Sequence, residues 1–214
     1  MHQEHTRIIA VRHGETAWNV DTRIQGQLDI ELNAIGVRQA KRVGQALANE
    51  QIDAIYASDL QRAWQTAQAI AQVSGSPLHP QPLLRERDFG IFQGKTYAQV
   101  QDLWPEDSKR WRERQPHWAP AGGESLDAVY QRVGRVATSL ARAHLGGQIV
   151  LVAHGGVLDM LYRLATGQAV QSPRTWQLGN ASINRLLWSA QGFSLVGWSD
   201  THHLDHLSRD EALT

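Results

Sequence analysis

Two stretches decide the fold: Arg7-Ile8-Ile9-Ala10-Val11-Arg12-His13-Gly14 and Ile149-Val150-Leu151-Val152-Ala153-His154-Gly155-Gly156. Each is a short apolar run that stops at a histidine followed by glycine. Runs of this length suit strands buried on both faces, which belong to parallel sheets covered by helices. The intervening segments supply those helices. Asn33 to Glu50 carries Val37, Ala40, Val43 and Leu47 at helical spacing, with Asn33 suited to the N-cap. Ile52 to Ala57 reads as another strand, and Ser58-Asp59 opens a helix bearing Leu60, Ala63, Ala67 and Ile70. Pro77, Pro80 and Pro82 then force an extended passage. Ser125 caps the clearest helix, with Leu126, Val129, Val133, Val136, Leu140 and Ala143 spaced three and four apart, and Gly146-Gly147 ends it. Behind His154 a further helix carries Leu158, Leu161 and Leu164. Ala181 to Trp188 and Phe193 to Trp198 flank Ser189-Ala190-Gln191-Gly192 and predict a β-hairpin. The expected fold is α/β: a three-layer α/β/α sandwich with a mostly parallel sheet, a C-terminal β-hairpin and a helical lid excursion.

That excursion is the irregular passage from Leu83 to about Gly123, which contains Trp104, Trp111 and Trp118. Residues 91–122 form the expected lid or substrate-specificity segment of a single domain spanning 1–214. The length of 214 residues fits one such domain. Eight of the 15 aromatic residues are Trp, and several are expected to line a half-open cleft.

Composition excludes several classes of function. The 21 basic residues balance the 21 acidic ones, so no global field favours nucleic acid or an anionic membrane. Ile8 to Val11 and Ile149 to Ala153 are only strand-sized, so no segment is long enough to span a bilayer. With no cysteine, disulfides, thiolate nucleophiles and cysteine-ligated metals are excluded. The N-terminal Met1-His2-Gln3-Glu4-His5-Thr6 lacks a basic region followed by an apolar core, so a cytoplasmic location is expected. Any anion binding must be local. Eighteen of the 21 basic residues are Arg, so an arginine beside a motif carries less weight than usual.

In parallel α/β sheets, ligands bind beyond the carboxyl ends of the strands, where His13 and His154 both fall. Gly14 permits a tight backbone path there and leaves room for a ligand close to the chain. Arg12 offers a fork of donors matched to phosphate oxygens, and His13 a ring nitrogen able to act as base, nucleophile or metal ligand. A satisfied turn histidine would explain either histidine alone. Two of them at strand ends, each followed by glycine and one leading into a helix N-terminus, are hard to explain by packing. Arg62, in the first turns of the helix after Ser58, points to the same edge. Glu86 lies between Arg85 and Arg87, where a loop can return it there; a surface charge cluster is the plain alternative.

These motifs resemble the histidine phosphatase superfamily, which includes cofactor-dependent phosphoglycerate mutases and related acid-type phosphatases. The matching residues are Arg12-His13-Gly14-Glu15-Thr16 with Asn19, Gln25-Gly26 with Asp29, Ser58-Asp59-Leu60 with Arg62-Ala63, Leu84-Arg85-Glu86 with Gly90, Gly123-Glu124-Ser125 and Ala153-His154-Gly155-Gly156. They run in family order from about Ile8 to Leu204. The resemblance implies a phosphohistidine intermediate on His13, with Arg12, Arg62 and His154 as the phosphate pocket. It makes Glu86 the proton donor to the leaving group. Asn19, Gln25, Gly26 and Gly155 are the further expected phosphate contacts. The chemistry agrees with these roles: guanidinium groups neutralise the phosphate oxygens, and neighbouring arginines keep His13 neutral. A backbone acceptor around Gly14 is expected to fix its tautomer. No metal or other cofactor is needed.

The expected activity is metal-independent hydrolysis of a small-molecule phosphate ester. Phosphoglycerate mutase activity is the first rival, with Arg110, Arg112 and Arg114 as possible carboxylate contacts. A non-catalytic phospho-ligand binding protein is the second, disfavoured because nucleophile and acid are both retained. Three motifs are decoys. Gly94-Lys95-Thr96 echoes a nucleotide-binding loop but lacks its upstream glycine. His202-His203 with His206 mimics metal-ligand spacing, and a solvated tail is the plainer reading. The run of Arg110, Arg112 and Arg114 beside Trp suggests nucleic-acid stacking, but its short length favours a lid helix.

Overall fold

A computed structural model of the protein describes residues 5–205. Its sheet has six strands, β1 (Thr6–Arg12), β2 (Ala54–Ala57), β3 (Leu78–Pro80), β4 (Gln148–Ala153), β5 (Ile183–Ser189) and β6 (Gly192–Asp200), in the order β3-β2-β4-β1-β5-β6. The first four run parallel to one another, and β5 and β6 form the antiparallel hairpin at one edge. The helices are α1 (Ala17–Val20), α2 (Ala34–Ala46), α3 (Gln61–Ser74), α4 (Tyr97–Leu103), α5 (Pro105–Arg112), α6 (Leu126–Ala143) and α7 (Gly155–Thr166).

Strand alternation builds two cores from one buried sheet. Ile9, Val11, Val150 and Val152 face Val43, Leu47, Ala63 and Ile70 of α2 and α3. Ile8, Ala10, Ile149 and Leu151 face Val129, Val133, Leu158 and Leu161 of α6 and α7. This is the expected three-layer sandwich. Each fully buried aliphatic side chain in it contributes roughly 1.5–3 kcal/mol. Caps fall where the sequence puts them: Asn33 accepts from the Gly36 N–H at 2.7 Å and Ser125 from that of Ala128 at 3.1 Å.

Differences from the sequence reading arise where side-chain size decides a face. Val37 is 41% exposed, because α2 packs through Gly36, Ala40, Val43 and Gly44 instead. Gly36 lies so close to the chain after β1 that a Cβ there would sit 2.0 Å from the Glu15 carbonyl. On α6, Ala137 and Ala141 are buried while Ala143 is exposed. The proline passage does more than extend, since Leu78–Pro80 pairs with β2. Thr96, of the Gly94-Lys95-Thr96 echo, is the N-cap of α4 and forms a capping box with Gln99. The excursion has its own small core, in which Trp104, Trp111 and Trp118 pack around Phe92 and Val100.

Candidate active site

Register assembles the site. Arg12 pairs with Ala153 at the end of the β1–β4 ladder, and the His13 N–H donates to the Ala153 carbonyl at 3.0 Å. The next residue on each strand is a histidine, so the two rings lie 5.2 Å apart between centroids. β2 adds the third piece. Its ladder with β4 ends with the Ser58 N–H donating to the Val152 carbonyl at 3.0 Å, which sets Ser58 beside His154. Ser58 Oγ lies 2.8 Å from His154 Nε2.

His13 is buried, and its Nδ1 lies 2.7 Å from the Gly14 carbonyl oxygen. A carbonyl only accepts, so Nδ1 carries the proton and Nε2 keeps its lone pair. Asn180 fixes this turn from the far side, donating to the His13 carbonyl at 3.1 Å and the Gly14 carbonyl at 3.3 Å. Burial, then the Arg62 and Arg12 charges, hold the His13 pKa well below the ordinary value, against a smaller opposing effect of the Gly14 bond. His154 is lowered in the same way by burial, Arg62, His13 and Arg12. Both rings are therefore neutral near pH 7.

Arg62 is fully buried and held by carbonyls, Nη1 donating to Leu28 at 2.8 Å and Nη2 to Gly26 at 2.7 Å. Burial draws its pKa down to about 10, with Glu86 and Asp29 opposing, so it remains a cation. Gly26 has φ +53°, and a Cβ there would sit 2.0 Å from Gln93 Oε1, so only glycine can turn its carbonyl toward Arg62. Arg12 Nη1 donates to the Leu178 carbonyl. Asp29 lies outside the cavity and caps α3 through the Gln61 N–H at 2.7 Å.

Glu86 reaches the same edge from its loop. Its Oε1 accepts from the Arg87 N–H at 2.8 Å and its Oε2 from the Gly156 N–H at 3.0 Å. The first turn of α7 thus holds a carboxylate of the protein. Gly14 does not leave the expected space for a ligand, because a Cβ there would sit 2.5 Å from the Gly36 carbonyl oxygen; at Gly156 a Cβ would sit 2.2 Å from Glu86 Oε1. Asp88 turns away from the cavity and accepts from the Gly90 N–H at 2.8 Å. Arg132 braces this loop, donating to the Leu83 and Arg85 carbonyls and pairing with Glu124 at 2.8 Å.

The cavity in front of His13 has a volume of 530 Å³. Arg12, His13, Asn19, Gln25, Gly26, Arg62, Glu86 and Gly155 line it, whereas His154 is fully buried next to His13 and is not part of that lining. Asn19 Oδ1 accepts from the Thr16 N–H at 3.0 Å, and this capping box fixes the side chain at the rim. Of the eight Trp, Trp111 alone lines the cavity among the described residues. Arg112 and Arg114 also line it, while Arg110 faces Asp107 outside. Sequence reasoning missed Ser58 as a partner of His154, and it missed Asn180, Arg132, Arg87 and Arg174. Ser58 and Arg87 lay within quoted motifs; Asn180, Arg132 and Arg174 carried no local signal. In the tail, His202 pairs with Asp200 at 2.9 Å and His203 bonds the Ala181 carbonyl, while His206 lies outside the described residues.

The family model of the histidine phosphatase superfamily (branch 1) matches residues 8–201. The chain belongs to that superfamily. It is 38% identical over 206 residues to phosphoglycerate mutase-like protein 4 of Arabidopsis thaliana, covering 94% of this chain and 88% of that one. It is 37% identical over 204 residues to a metal-independent phosphoserine phosphatase of the same plant, covering 94% and 84%. Among solved structures, a mycobacterial glucosyl-3-phosphoglycerate phosphatase superposes with a TM-score of 0.83 at 33% identity, covering 92% of this chain and all (100%) of that chain. Of the motif residues read from the sequence, Arg12, His13, Asn19, Gln25, Gly26, Arg62, Glu86 and Gly155 line the one cavity.

Proposed function

We propose that the protein is a metal-independent phosphomonoesterase that hydrolyses a small phosphorylated metabolite through a phosphohistidine on His13. One observation carries this reading. Six buried side-chain polar atoms lack a hydrogen-bond partner among the described residues, and three of them are the nitrogens Arg12 Nε, Arg62 Nε and His154 Nδ1. Buried polar groups are ordinarily paired, so unpaired donors gathered around a neutral histidine suit an anion that arrives as substrate.

In this mechanism His13 Nε2 attacks phosphorus in line with the leaving oxygen, and the P–O bond to the alcohol breaks as the N–P bond forms. Arg12 and Arg62 meet the equatorial oxygens. Ser58 donates its hydroxyl proton to His154 Nε2, which leaves the other ring proton on Nδ1 for a third oxygen. Glu86 gives its proton to the departing alkoxide, then takes one from the water that attacks the phosphohistidine. Asn19, Gln25, Gly26 and Gly155 complete the walls around the phosphate. The guanidinium groups supply the positive charge that a metal supplies elsewhere. The phosphatase names of two relatives support hydrolysis. The mutase-like name of the third makes phosphoryl return to a sugar acid the alternative.

Rapid quenching with ³²P-labelled substrate tests the reading. The wild-type protein gives an acid-labile, base-stable phosphoenzyme, and His13→Ala gives neither phosphoenzyme nor phosphate release. Substantial turnover by His13→Ala overturns the assignment. Repeating the assay with and without 2,3-bisphosphoglycerate separates hydrolysis from transfer.

A further inference from the structure

One carboxylate at the cavity is left out of the phosphoryl chemistry. Asp159 lies on α7 three residues beyond Gly156 and four beyond Gly155, so it shares their helix face, and side chains there lean back toward the N-terminus. Apart from Glu86 it is the only carboxylate that lines the cavity among the described residues. Its side chain is 5% exposed, and its two oxygens are treated unequally. Oδ2 accepts from Arg114 Nη2 at 2.8 Å and from Arg163 Nε at 3.1 Å, whereas Oδ1 is buried with no partner among the described residues.

Charge alone does not explain that oxygen. Two guanidinium groups more than balance Asp159, yet neither takes both carboxylate oxygens in a bidentate fork. Arg163 directs its other nitrogens to the Ala169 and Ser172 carbonyls, and Arg114 its Nε to the Val170 carbonyl. Otherwise α6 and α7 give the cavity Leu126, Val129, Met160 and the two glycines, none of which has a donor in its side chain. A carboxylate oxygen accepts about two hydrogen bonds, and a buried one left without any is costly unless a donor arrives. Gln25 Oε1 is the other buried unpartnered acceptor of the lining, but its amide can turn end for end and present a donor to the phosphate. Asp159 has no such alternative.

We infer that Asp159 Oδ1 accepts a hydrogen bond from a hydroxyl group on the alcohol portion of the substrate, which makes Asp159 a specificity-determining residue for hydroxylated leaving groups. The Gly156 N–H holds Glu86 where the leaving oxygen is protonated, and Asp159 lies roughly 4.5 Å further along the α7 axis, the span of a short polyol chain. The two guanidinium groups on Oδ2 repel an ammonium group but not a neutral hydroxyl, so the donor is a hydroxyl. This inference rests on the phosphatase reading.

Glycerol 1-phosphate against propyl phosphate tests the hydroxyl, and 2-aminoethyl phosphate against ethyl phosphate tests an ammonium in its place. In the wild-type protein kcat/KM should be higher by about tenfold or more for glycerol 1-phosphate, the worth of one hydrogen bond to a charged group. The amino ester should show no gain. In Asp159→Asn the two arginines keep the amide oxygen, which turns the NH2 group toward the substrate and puts a donor where the acceptor was. The hydroxyl ratio should then collapse toward one, whereas a residue that only braced the fold would lower both esters alike and leave the ratio unchanged. The wild-type protein also decides without a variant. The 2,3-di-O-methyl ether of glycerol 1-phosphate keeps its oxygens but cannot donate, so it should lose the gain. A wild-type ratio near one overturns the inference, as does a gain that survives in folded Asp159→Asn or in the ether, or a larger preference for the amino ester. If no ester is hydrolysed, p-nitrophenyl phosphate included, the phosphatase reading fails instead, and calorimetric titration of the same esters decides the hydroxyl contact by binding alone.

Discussion

Gly156→Ala isolates the position of Glu86 from its chemistry. The new methyl group would sit 2.2 Å from Glu86 Oε1 and 3.2 Å from its Cδ, while no backbone atom is among its three nearest neighbours. The carboxylate is the far end of a flexible side chain, so it yields and the fold stays. Oε1 must retreat by about 1 Å to regain an ordinary contact, and a shift of that size costs roughly a hundredfold in a positioned catalytic step. Stability changes less. The variant loses the bond from the Gly156 N–H, worth about 1.5–3 kcal/mol, and gains up to ~1 kcal/mol from replacing glycine with alanine in a helix. A net cost of about 1 kcal/mol lowers Tm by about 2–4 °C. The assay is kcat/KM for glycerol 1-phosphate and p-nitrophenyl phosphate, which reports steps up to phosphoenzyme formation and not its breakdown. The alkyl ester should lose about a hundredfold, because its alkoxide needs the proton. The nitrophenyl ester should lose only a few-fold. Equal losses on both esters, or full activity on the alkyl ester, would refute Glu86 as the proton donor.

Glu86→Gln should show the same leaving-group dependence with a larger loss, on the order of a hundred- to ten-thousand-fold on alkyl esters. Asp88→Asn should be mild, since Asp88 faces the Gly90 N–H; the opposite ranking in a side-by-side kcat/KM measurement would transfer the role to Asp88. Activity should survive EDTA, and vanadate should inhibit by occupying the phosphoryl site. Loss of activity on chelation, restored by magnesium, would contradict the arginine pocket. Stability should fall as pH drops below about 6.5. His13 and His154 have folded pKa values well below the ordinary one, so between the two values the unfolded chain binds protons that the folded chain does not. Each histidine then removes about 1.4 kcal/mol per pH unit. Urea melts from pH 8 to 5 should show a flat region above pH 7 and a decline below it. A midpoint independent of pH would mean that the two rings are not buried neutral.

What the sequence determined by itself was everything that depends on periodicity and on strand ends. The two apolar runs were too short and too uniformly apolar to be anything but buried strands. A parallel strand must end at the ligand-binding edge, so Arg12, His13 and His154 were legible in the sequence. Caps at Asn33 and Ser125 were legible too, because a cap involves residues three apart. Tertiary structure alone decided what depends on residues far apart in the chain. Only the pairing of Arg12 with Ala153 brings the two histidine rings together, and only the Gly156 N–H, 70 residues away, fixes the Glu86 carboxylate. The same holds for the hold of Asn180 on the His13 turn, 167 residues distant, and for Ser58 against His154, 96 residues distant. Gly14 and Gly156 show the limit most clearly. Gly14 was read as room for a ligand, yet the space it leaves is filled by the α2 backbone, as the space at Gly156 is filled by Glu86. A glycine announces close approach, but the sequence does not say what approaches.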